Sequence, residues 1–195
     1  MTRTFIALEL NADLQSYLSG VIRQLARVLP GLRWVDPSGI HLTLAFLGEL
    51  SDEQLAHARQ ATQQAALEVA PFDYGLSQLG IFGSPRQPRV LWVGITEASG
   101  KLQHLHRTLN QELEQRNFEV DKRPFSPHLT LSRIKAPLEP DEQEGLQRIL
   151  QDRQLLKSSS LYHVHQVSVM KSELSRSGAT YTCLQNYALS MRTMI

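Results

Sequence analysis

The chain has 195 residues, of which 42% are hydrophobic, and its formal net charge at pH 7 is +1. This length predicts one domain or two small lobes with a shared core, and so small a charge argues against a long nucleic-acid groove lined by cations. The single cysteine, Cys183, and the lack of an apolar run of the roughly 20 residues that cross a bilayer predict a soluble protein of the reducing cytoplasm.

Hydrophobic spacing in the first half of the sequence predicts two strand–helix pairs followed by a hairpin. Leucines and valines recur at helical spacing between Asn11, which can cap a helix, and Pro30, which ends it. Ser51 and Gln54 have the spacing of a capping box at the start of the next helix. The predicted elements are a strand over residues 4–10, a helix up to Val28, a turn over 36–39, a strand from His41, a helix from Ser51 to about Ala70, and strands over 73–83 and 89–96.

The second half of the sequence repeats this alternation and ends in two strands. Because the segments 73–83 and 89–96 have the spacing of a hairpin, we expect a mixed α+β architecture rather than a parallel sheet. The predicted elements are a helix from Leu102 to about Asn117, a strand from His128, a helix from about Pro140 to Leu155, and strands over 164–174 and 180–190 that are joined by a turn over 175–178.

The sequence His-Leu-Thr-Leu occurs twice, at residues 41–44 and at residues 128–131. In each copy polar and apolar residues alternate, so the histidine and threonine share one face of a strand while the leucines point to the core. The copies are 87 residues apart, and an acidic helix start, Asp-Glu-Gln, recurs after 89 residues. These matching offsets predict a duplicated unit whose copies place two histidines and two threonines around one cleft.

Paired histidines suit transfer at phosphorus. An imidazole titrates near pH 6.5, so one ring can take a proton from the nucleophile while the other gives one to the leaving oxygen. Thr43 and Thr130 can bind the non-bridging phosphate oxygens. Arg133, at the end of the second motif, is either a surface charge or a contact to a phosphate or a base. A buried histidine needs a hydrogen-bond partner, so two histidines at equivalent positions of a repeat indicate a common role.

A zinc site is the competing use of histidine in this sequence. His163 and His165 would place two imidazoles on one face of a strand, but the spacing shows no third ligand, and Cys183 is predicted on another strand. We therefore expect no metal ligands and no cofactor. The sequence also lacks a glycine-rich phosphate loop and a Gly-x-Ser-x-Gly motif, which disfavours ATP hydrolysis and serine-esterase chemistry. No role is assigned to His57, His104 or His106.

Three aromatic residues near the predicted strands could stack on a base: Phe5, Trp34 and Phe46. Aromatic residues at such positions usually belong to the core. Phe46 is an even number of residues from Leu42 and Leu44, so simple alternation places it on their face of the strand. We therefore expect Phe46 to be a core residue.

With both motifs placed, the sequence resembles the two-histidine (2H) phosphoesterases, and specifically the bacterial and archaeal RNA 2',3'-cyclic phosphodiesterases once called 2'-5' RNA ligases. The resemblance covers nearly the whole chain and is strongest around the two motifs, where two copies of His-x-Thr have matching flanks. The residues that carry it are 3–8, 41–48, 89–94, 123–133, 171–174, Gly178 and Tyr181.

This resemblance implies an α+β fold of two lobes related by a pseudo-twofold axis, with antiparallel or mixed sheets facing a central cleft and helices outside. It also implies metal-independent hydrolysis of an RNA 2',3'-cyclic phosphate to a 2'-phosphate. By motif matching, His41 resembles the proton donor and His128 the proton acceptor. Thr43 and Thr130 resemble phosphate ligands, and Arg133 resembles a nucleotide contact.

Two functional alternatives remain open from the sequence. The first is the hydrolase, which in some members of the family also joins tRNA halves reversibly through a 2'-5' bond. The second is a module that binds a nucleotide or a 2'-5'-linked oligonucleotide without turnover. The intact histidine pair favours the hydrolase. In either case the expected partners are RNA ends or nucleotides with a 2',3'-cyclic phosphate, and we expect residues 1–195 to be one bilobed domain that acts as a monomer.

Overall fold

The computed structural model describes residues 1–152, 154–156, 160–175 and 178–190. Within these residues, four α-helices and eight β-strands form an α+β fold in which all paired strands are antiparallel. In chain order the elements are β1 (Thr2–Glu9), α1 (Ala12–Val28), β2 (His41–Leu50), α2 (Asp52–Leu67), β3 (Phe72–Ser84), β4 (Gln87–Thr96), α3 (Lys101–Glu114), β5 (His128–Arg133), α4 (Pro140–Gln151), β6 (Tyr162–Val164), β7 (Gln166–Ser175) and β8 (Gly178–Ala188).

The two motif strands are neighbours in the middle of the sheet. The strand order is β6-β3-β4-β5-β2-β1-β7-β8, so β5 and β2 join two groups of four strands. Their register pairs Leu42 with Leu129, the residue that follows the histidine in each motif. The sheet therefore brings the two copies of the motif side by side, although they are far apart in the sequence.

The predicted duplication is confirmed, and the two copies exchange their last strands. The order β1-α1-β2-α2-β3 recurs as β4-α3-β5-α4-β7, with β6 and β8 added at the edges. Strand β3 leaves its own copy to pair with β4, and β7 pairs with β1. The helices follow the same symmetry, since α1 packs against α4 and α3 packs against α2. Each half of the sheet thus contains residues of both copies.

Side-chain caps start the helices where the sequence predicts them. The side chain of Asn11 accepts a hydrogen bond from the first turn of α1, and Ser51 and Gln54 form the predicted capping box of α2. At the equivalent start of α4, Glu139 and Glu142 form a second capping box. Three helices end earlier than predicted, α2 at residue 67, α3 at residue 114 and α4 at residue 151.

The hydrophobic core lies between the helices and one face of the sheet. Leu42, Leu129 and Leu131 have no exposed surface, so the leucines of both motifs point into this core as predicted. The apolar stripes of α1 and α3 cover them, because their leucines recur every three or four residues. Packing of the helices on this face leaves the histidine face of the central strands open.

The remaining predictions for the chain are largely confirmed. The segments 73–83 and 89–96 form the expected hairpin as β3 and β4, and the last two strands pair with each other. The central residues of the turn predicted between those last strands, Arg176 and Ser177, lie outside the described residues. Across the described part of the chain, no helix combines the length and the apolar character that crossing a bilayer requires.

The prediction that Phe46 belongs to the core was wrong, since 55% of its surface is exposed. The reason is a bulge in β2. Ala7 pairs with Thr43 and the preceding residue of β1 pairs with Ala45, so Leu44 is an extra residue on this strand. Beyond the bulge the alternation shifts by one position. Phe46 therefore joins the face of His41 and Thr43 and pairs with Phe5 across the strands.

Candidate active site

The predicted site residues meet at the junction of β2 and β5. Because these strands are antiparallel and Leu42 pairs with Leu129, extending the register by one residue sets His41 opposite Thr130. In the other direction it sets Thr43 opposite His128. All four side chains belong to the face of the sheet that the core leucines do not use. The two His-x-Thr motifs thus run in opposite directions on neighbouring strands and place their side chains on one face of the sheet.

Both histidines are held in the same way by the backbone. His41 Nδ1 lies 2.8 Å from the carbonyl oxygen of Gly39, and His128 Nδ1 lies 2.7 Å from that of Ser126. In each case the acceptor is two residues before the histidine. A carbonyl oxygen can only accept, so Nδ1 must carry the proton in both rings. This leaves Nε2 of each ring as the atom that can take or give a proton.

Two aromatic rings fix the imidazole of His41. Its centroid lies 4.6 Å from that of Phe5 and 4.8 Å from that of Tyr181, which meets it edge-on. The rings of Phe5 and Tyr181 also contact each other, with centroids 5.4 Å apart. Since these rings come from β1, which pairs with β2, and from β8, at the edge of the sheet, two strands besides β2 position the first histidine.

A second aromatic pair surrounds His128. Phe82 of β3 meets its ring edge-on with centroids 4.8 Å apart, and Trp92 of β4 lies at 6.0 Å. Gly80 makes this arrangement possible, because it faces Trp92 in the register and a Cβ there would overlap the indole ring. The two histidines therefore have similar backbone anchors but different aromatic surroundings.

Burial lowers the pKa of His41 below its ordinary value of about 6.5. The hydrogen bond to Gly39 and the charge of Glu9 act in the opposite direction, while the positive charge of Arg133 lowers this pKa further. Without a ligand, the neutral form of His41 is thus favoured at neutral pH. An anion bound beside the ring would raise the pKa and favour the protonated form.

The same bulge that exposes Phe46 recurs in the second motif. Trp92 pairs with Thr130 and the preceding residue of β4 pairs with Ser132, so Leu131 is the extra residue. Beyond it, Arg133 joins the face of Thr130 and is exposed. Arg133 follows Phe46 by 87 residues, the offset of the motifs themselves. The two copies therefore present a guanidinium and a phenyl ring at equivalent positions of the cleft.

Sequence reasoning missed several residues that shape the site. A bulge leaves no signal in the alternation of residues, so the exposure of Phe46 could not be predicted from spacing. The contact between Phe82 and His128 joins two distant segments of the chain, which spacing does not predict either. His106, to which we assigned no role, stacks on Phe125 with centroids 3.9 Å apart and planes at 7°. Phe125 belongs to the segment before β5 that supplies the carbonyl group for His128.

The residues of the competing metal hypothesis lie elsewhere in the sheet. His163 and His165 have parallel rings with centroids 6.2 Å apart, and His163 Nδ1 is 2.7 Å from Asp73 Oδ1. Among the described residues, no group of three or more histidine, cysteine, aspartate or glutamate side chains is arranged to hold a metal ion. The site itself offers two imidazoles, two hydroxyl groups and one guanidinium, which suit acid–base chemistry on a phosphate.

Comparison with known proteins gives consistent matches. A sequence model of the 2'-5' RNA ligase superfamily matches residues 19–175. The RNA 2',3'-cyclic phosphodiesterase of Methanothermobacter thermautotrophicus is 28% identical over 187 residues, which are 96% of this chain and 98% of that protein. The crystal structure of TT0787 from Thermus thermophilus superposes with a TM-score of 0.76 at 27% identity, covering 96% and 97% of the two chains. That of E. coli LigT with 3'-AMP gives 0.71 at 25% identity, covering 96% and 98%.

The backbone anchors predict an unusual tautomer for two histidines. In long-range ¹H–¹⁵N spectra of the protein without ligand, we expect the ring proton on Nδ1 in both His41 and His128. We also expect His41 to titrate below about pH 6.5, because its burial disfavours the charged ring. The His41→Asn and His128→Asn variants assign the signals. A proton on Nε2 of the neutral rings, or a midpoint for His41 above that value, contradicts this account.

The contact between Gly80 and Trp92 makes a prediction for stability. In Gly80→Ala the indole ring must move, so we expect the free energy of unfolding to fall by about 1–3 kcal/mol and the Trp92 fluorescence to change. Gly75→Ala on the same strand is the matched control, since the nearest atom to its Cβ is 3.3 Å away and belongs to a side chain. Equal stability and unchanged fluorescence in Gly80→Ala argue against this packing.

Proposed function

The chain belongs to the 2'-5' RNA ligase superfamily, and we propose that it hydrolyses the 2',3'-cyclic phosphate at the end of an RNA to a 2'-phosphate. The observation that carries this proposal is the pair of histidines with Nδ1 bound to a backbone carbonyl, on neighbouring strands whose register pairs Leu42 with Leu129. Relatives along the whole chain are named RNA 2',3'-cyclic phosphodiesterase, and the similar E. coli LigT was crystallised with 3'-AMP. The protein is accordingly an enzyme of the hydrolase class.

The two histidines have different roles in this reaction. Neutral His128 takes a proton from water through Nε2, and the water oxygen forms a new bond to phosphorus. The bond from phosphorus to the ribose 3'-oxygen breaks, and protonated His41 gives its Nε2 proton to that oxygen. The 2'-oxygen keeps the phosphate. Water must enter opposite the 3'-oxygen, so the two imidazoles act from opposite sides of the phosphorus atom.

The cyclic phosphate itself prepares His41 for its role as an acid. Burial favours the neutral ring in the free protein, which is the wrong form for a proton donor. A phosphate anion between the motifs raises the pKa of His41 because it stabilises the imidazolium. Substrate binding therefore supplies the charge that protonates this histidine. Arg133 opposes this effect on His41 but favours the binding of the same anion.

The remaining cleft residues bind the substrate. The hydroxyl groups of Thr43 and Thr130 donate hydrogen bonds to the non-bridging oxygens, where charge develops in the transition state. Arg133 contacts the nucleotide from the second motif. Phe46 offers the exposed face of its ring to a base of the strand, and the guanidinium of Arg3 lies 4.9 Å from the centre of that ring.

A binding module without turnover is the less favoured function. Both motifs keep a histidine whose Nε2 is free of its backbone anchor, which binding alone does not require.

Residues 1–195 act as one bilobed domain, because each half supplies one histidine. The substrates are RNA ends such as those of cut tRNA. With the 5'-hydroxyl group of a second half in place of water, the same site can join such halves reversibly by a 2'-5' bond, and the 3'-oxygen is again the leaving group. The enzyme works as a monomer in the cytoplasm, where its single cysteine stays reduced.

The direct test is turnover of a short oligoribonucleotide that ends in a 2',3'-cyclic phosphate, in the presence of EDTA. We expect a 2'-phosphate as the product, identified against synthetic 2'- and 3'-phosphate standards. The His41→Ala and His128→Ala variants should each lose on the order of 10²–10⁴-fold in rate, the usual contribution of acid–base catalysis. His163→Ala is the control, because this histidine pairs with Asp73 away from the cleft.

Other results point to other functions. Tight binding of the oligonucleotide without product supports the binding module. Loss of turnover in EDTA with recovery in zinc, together with loss in His163→Ala, restores the metal hypothesis. A 3'-phosphate as the product contradicts the assignment of the 3'-oxygen as the leaving group.

A further inference from the structure

A cavity of about 300 Å³ lies beside the first motif, where β1, β7 and β8 meet Pro37–Gly39, a single turn of 3₁₀-helix just before β2. His41 and Tyr181 form part of its wall, so it opens at one of the proposed catalytic rings. Its volume is in the range of pockets that bind small ligands. Neither Thr43 nor the residues of the second motif line this cavity, which therefore extends the cleft to one side.

Two carboxylates give this cavity charged hydrogen-bond acceptors beside the amide and hydroxyl groups of Gln15, Ser38 and Thr180. Glu9 and Asp36 each contribute a carboxylate, and the described lining residues include no lysine or arginine. Hydrogen bonds from Ser38 lower the pKa of Asp36, so this group is ionised at neutral pH. Carboxylates accept hydrogen bonds and repel anions. A second phosphate is thus disfavoured here, and a neutral group with N–H donors is favoured.

Glu9 is fixed in place by a buried serine. The hydroxyl group of Ser168 donates to Glu9 Oε2 over 2.6 Å, and the same hydroxyl lies 2.7 Å from Asn186 Oδ1. Ser168 has no exposed surface, so the serine end of this hydrogen bond is held in the core of the sheet, whereas Glu9 itself is exposed. The hydrogen bond occupies one carboxylate oxygen of Glu9, and Oε1 keeps its capacity to accept from a ligand in the cavity.

The proposed reaction places one end of the substrate beside this cavity. His41 protonates the 3'-oxygen, so the ribose that carries this oxygen must lie against the ring of His41. The base of the same nucleotide is attached to that ribose. Tyr181 and Met170, which also line the cavity, supply a ring and a thioether that can contact the flat face of a base.

We propose that this cavity binds the base of the 3'-terminal nucleotide and that Glu9 selects adenine and cytosine, whose amino groups are at C6 and C4, over uracil, which has a carbonyl oxygen at C4. Adenine and cytosine have an amino donor where uracil has a carbonyl oxygen. Uracil would set this oxygen against the carboxylate and leave two acceptors without a donor. This inference rests on the proposed function, because that function fixes the position of the ribose.

The test uses oligoribonucleotides that differ only in the last base, each with a 2',3'-cyclic phosphate. We expect kcat/KM to be about tenfold or more higher with cytosine than with uracil, and with adenine than with unsubstituted purine, since each comparison removes a hydrogen bond to a charged group. In Glu9→Gln the cytosine-to-uracil ratio should fall toward one, because the amide can also donate to uracil, and the adenine-to-purine ratio should fall because the hydrogen bond is no longer made to a charged group. Glu114→Gln, on an exposed position of α3, should keep the wild-type ratios.

The ratios separate this inference from the proposed function. Equal kcat/KM values for the four terminal bases overturn the base selection and leave the proposed hydrolysis unaffected. Wild-type ratios in Glu9→Gln have the same consequence. If no oligonucleotide is hydrolysed, the proposed function fails, and calorimetry with cytidine 2'-monophosphate and uridine 2'-monophosphate still tests the cavity. A tenfold preference for the cytidine compound that Glu9→Gln removes supports the cavity, and equal affinities overturn it.

Discussion

The pairing of Leu42 with Leu129 is the constraint on which the rest of this structure depends. It joins the two halves of the sheet at the residue next to each histidine, and both leucines are fully buried. Because side chains alternate along a strand, burial of these leucines forces the histidines to the opposite face. The same hydrophobic packing that stabilises the fold therefore assembles the site. The exchange of β3 and β7 between the copies strengthens the junction, since each half of the sheet contains strands of both.

Duplication places two histidines in unequal surroundings, and the proposed division into acid and base rests on that difference. Each histidine binds a carbonyl oxygen two residues before it, so both present Nε2 to the same cleft. The surroundings are not equivalent. His41 is packed against Phe5 and Tyr181 beside an acceptor-rich cavity, whereas His128 contacts Phe82 at a more open position. The symmetrical sheet thus holds both histidines, and the separate roles proposed for them follow from their unequal neighbours.

Much of this arrangement could be predicted from the sequence, and the failures have a common physical cause. Local signals predicted the helix caps, the buried leucines and the two motifs, because these depend on residues close together in the chain. The exposure of Phe46 depends on an extra residue in the pairing of β2 with β1, which no pattern within β2 reveals. The stack of His106 on Phe125 and the cavity beside Glu9 depend in the same way on contacts between distant segments. The strand exchange also lies beyond any local signal.

The central claim is that His41 gives a proton to the leaving 3'-oxygen and His128 takes one from water. It is tested most directly with an oligoribonucleotide whose cyclic phosphate carries sulfur in place of the 3'-oxygen. A thiolate leaves with little need for a proton, so an acid becomes unnecessary while a base is still required. On this substrate His41→Ala should regain much of its lost rate, and His128→Ala should remain slow. Recovery of His128→Ala alone contradicts the assignment of roles, and recovery of neither variant contradicts proton donation to the leaving group.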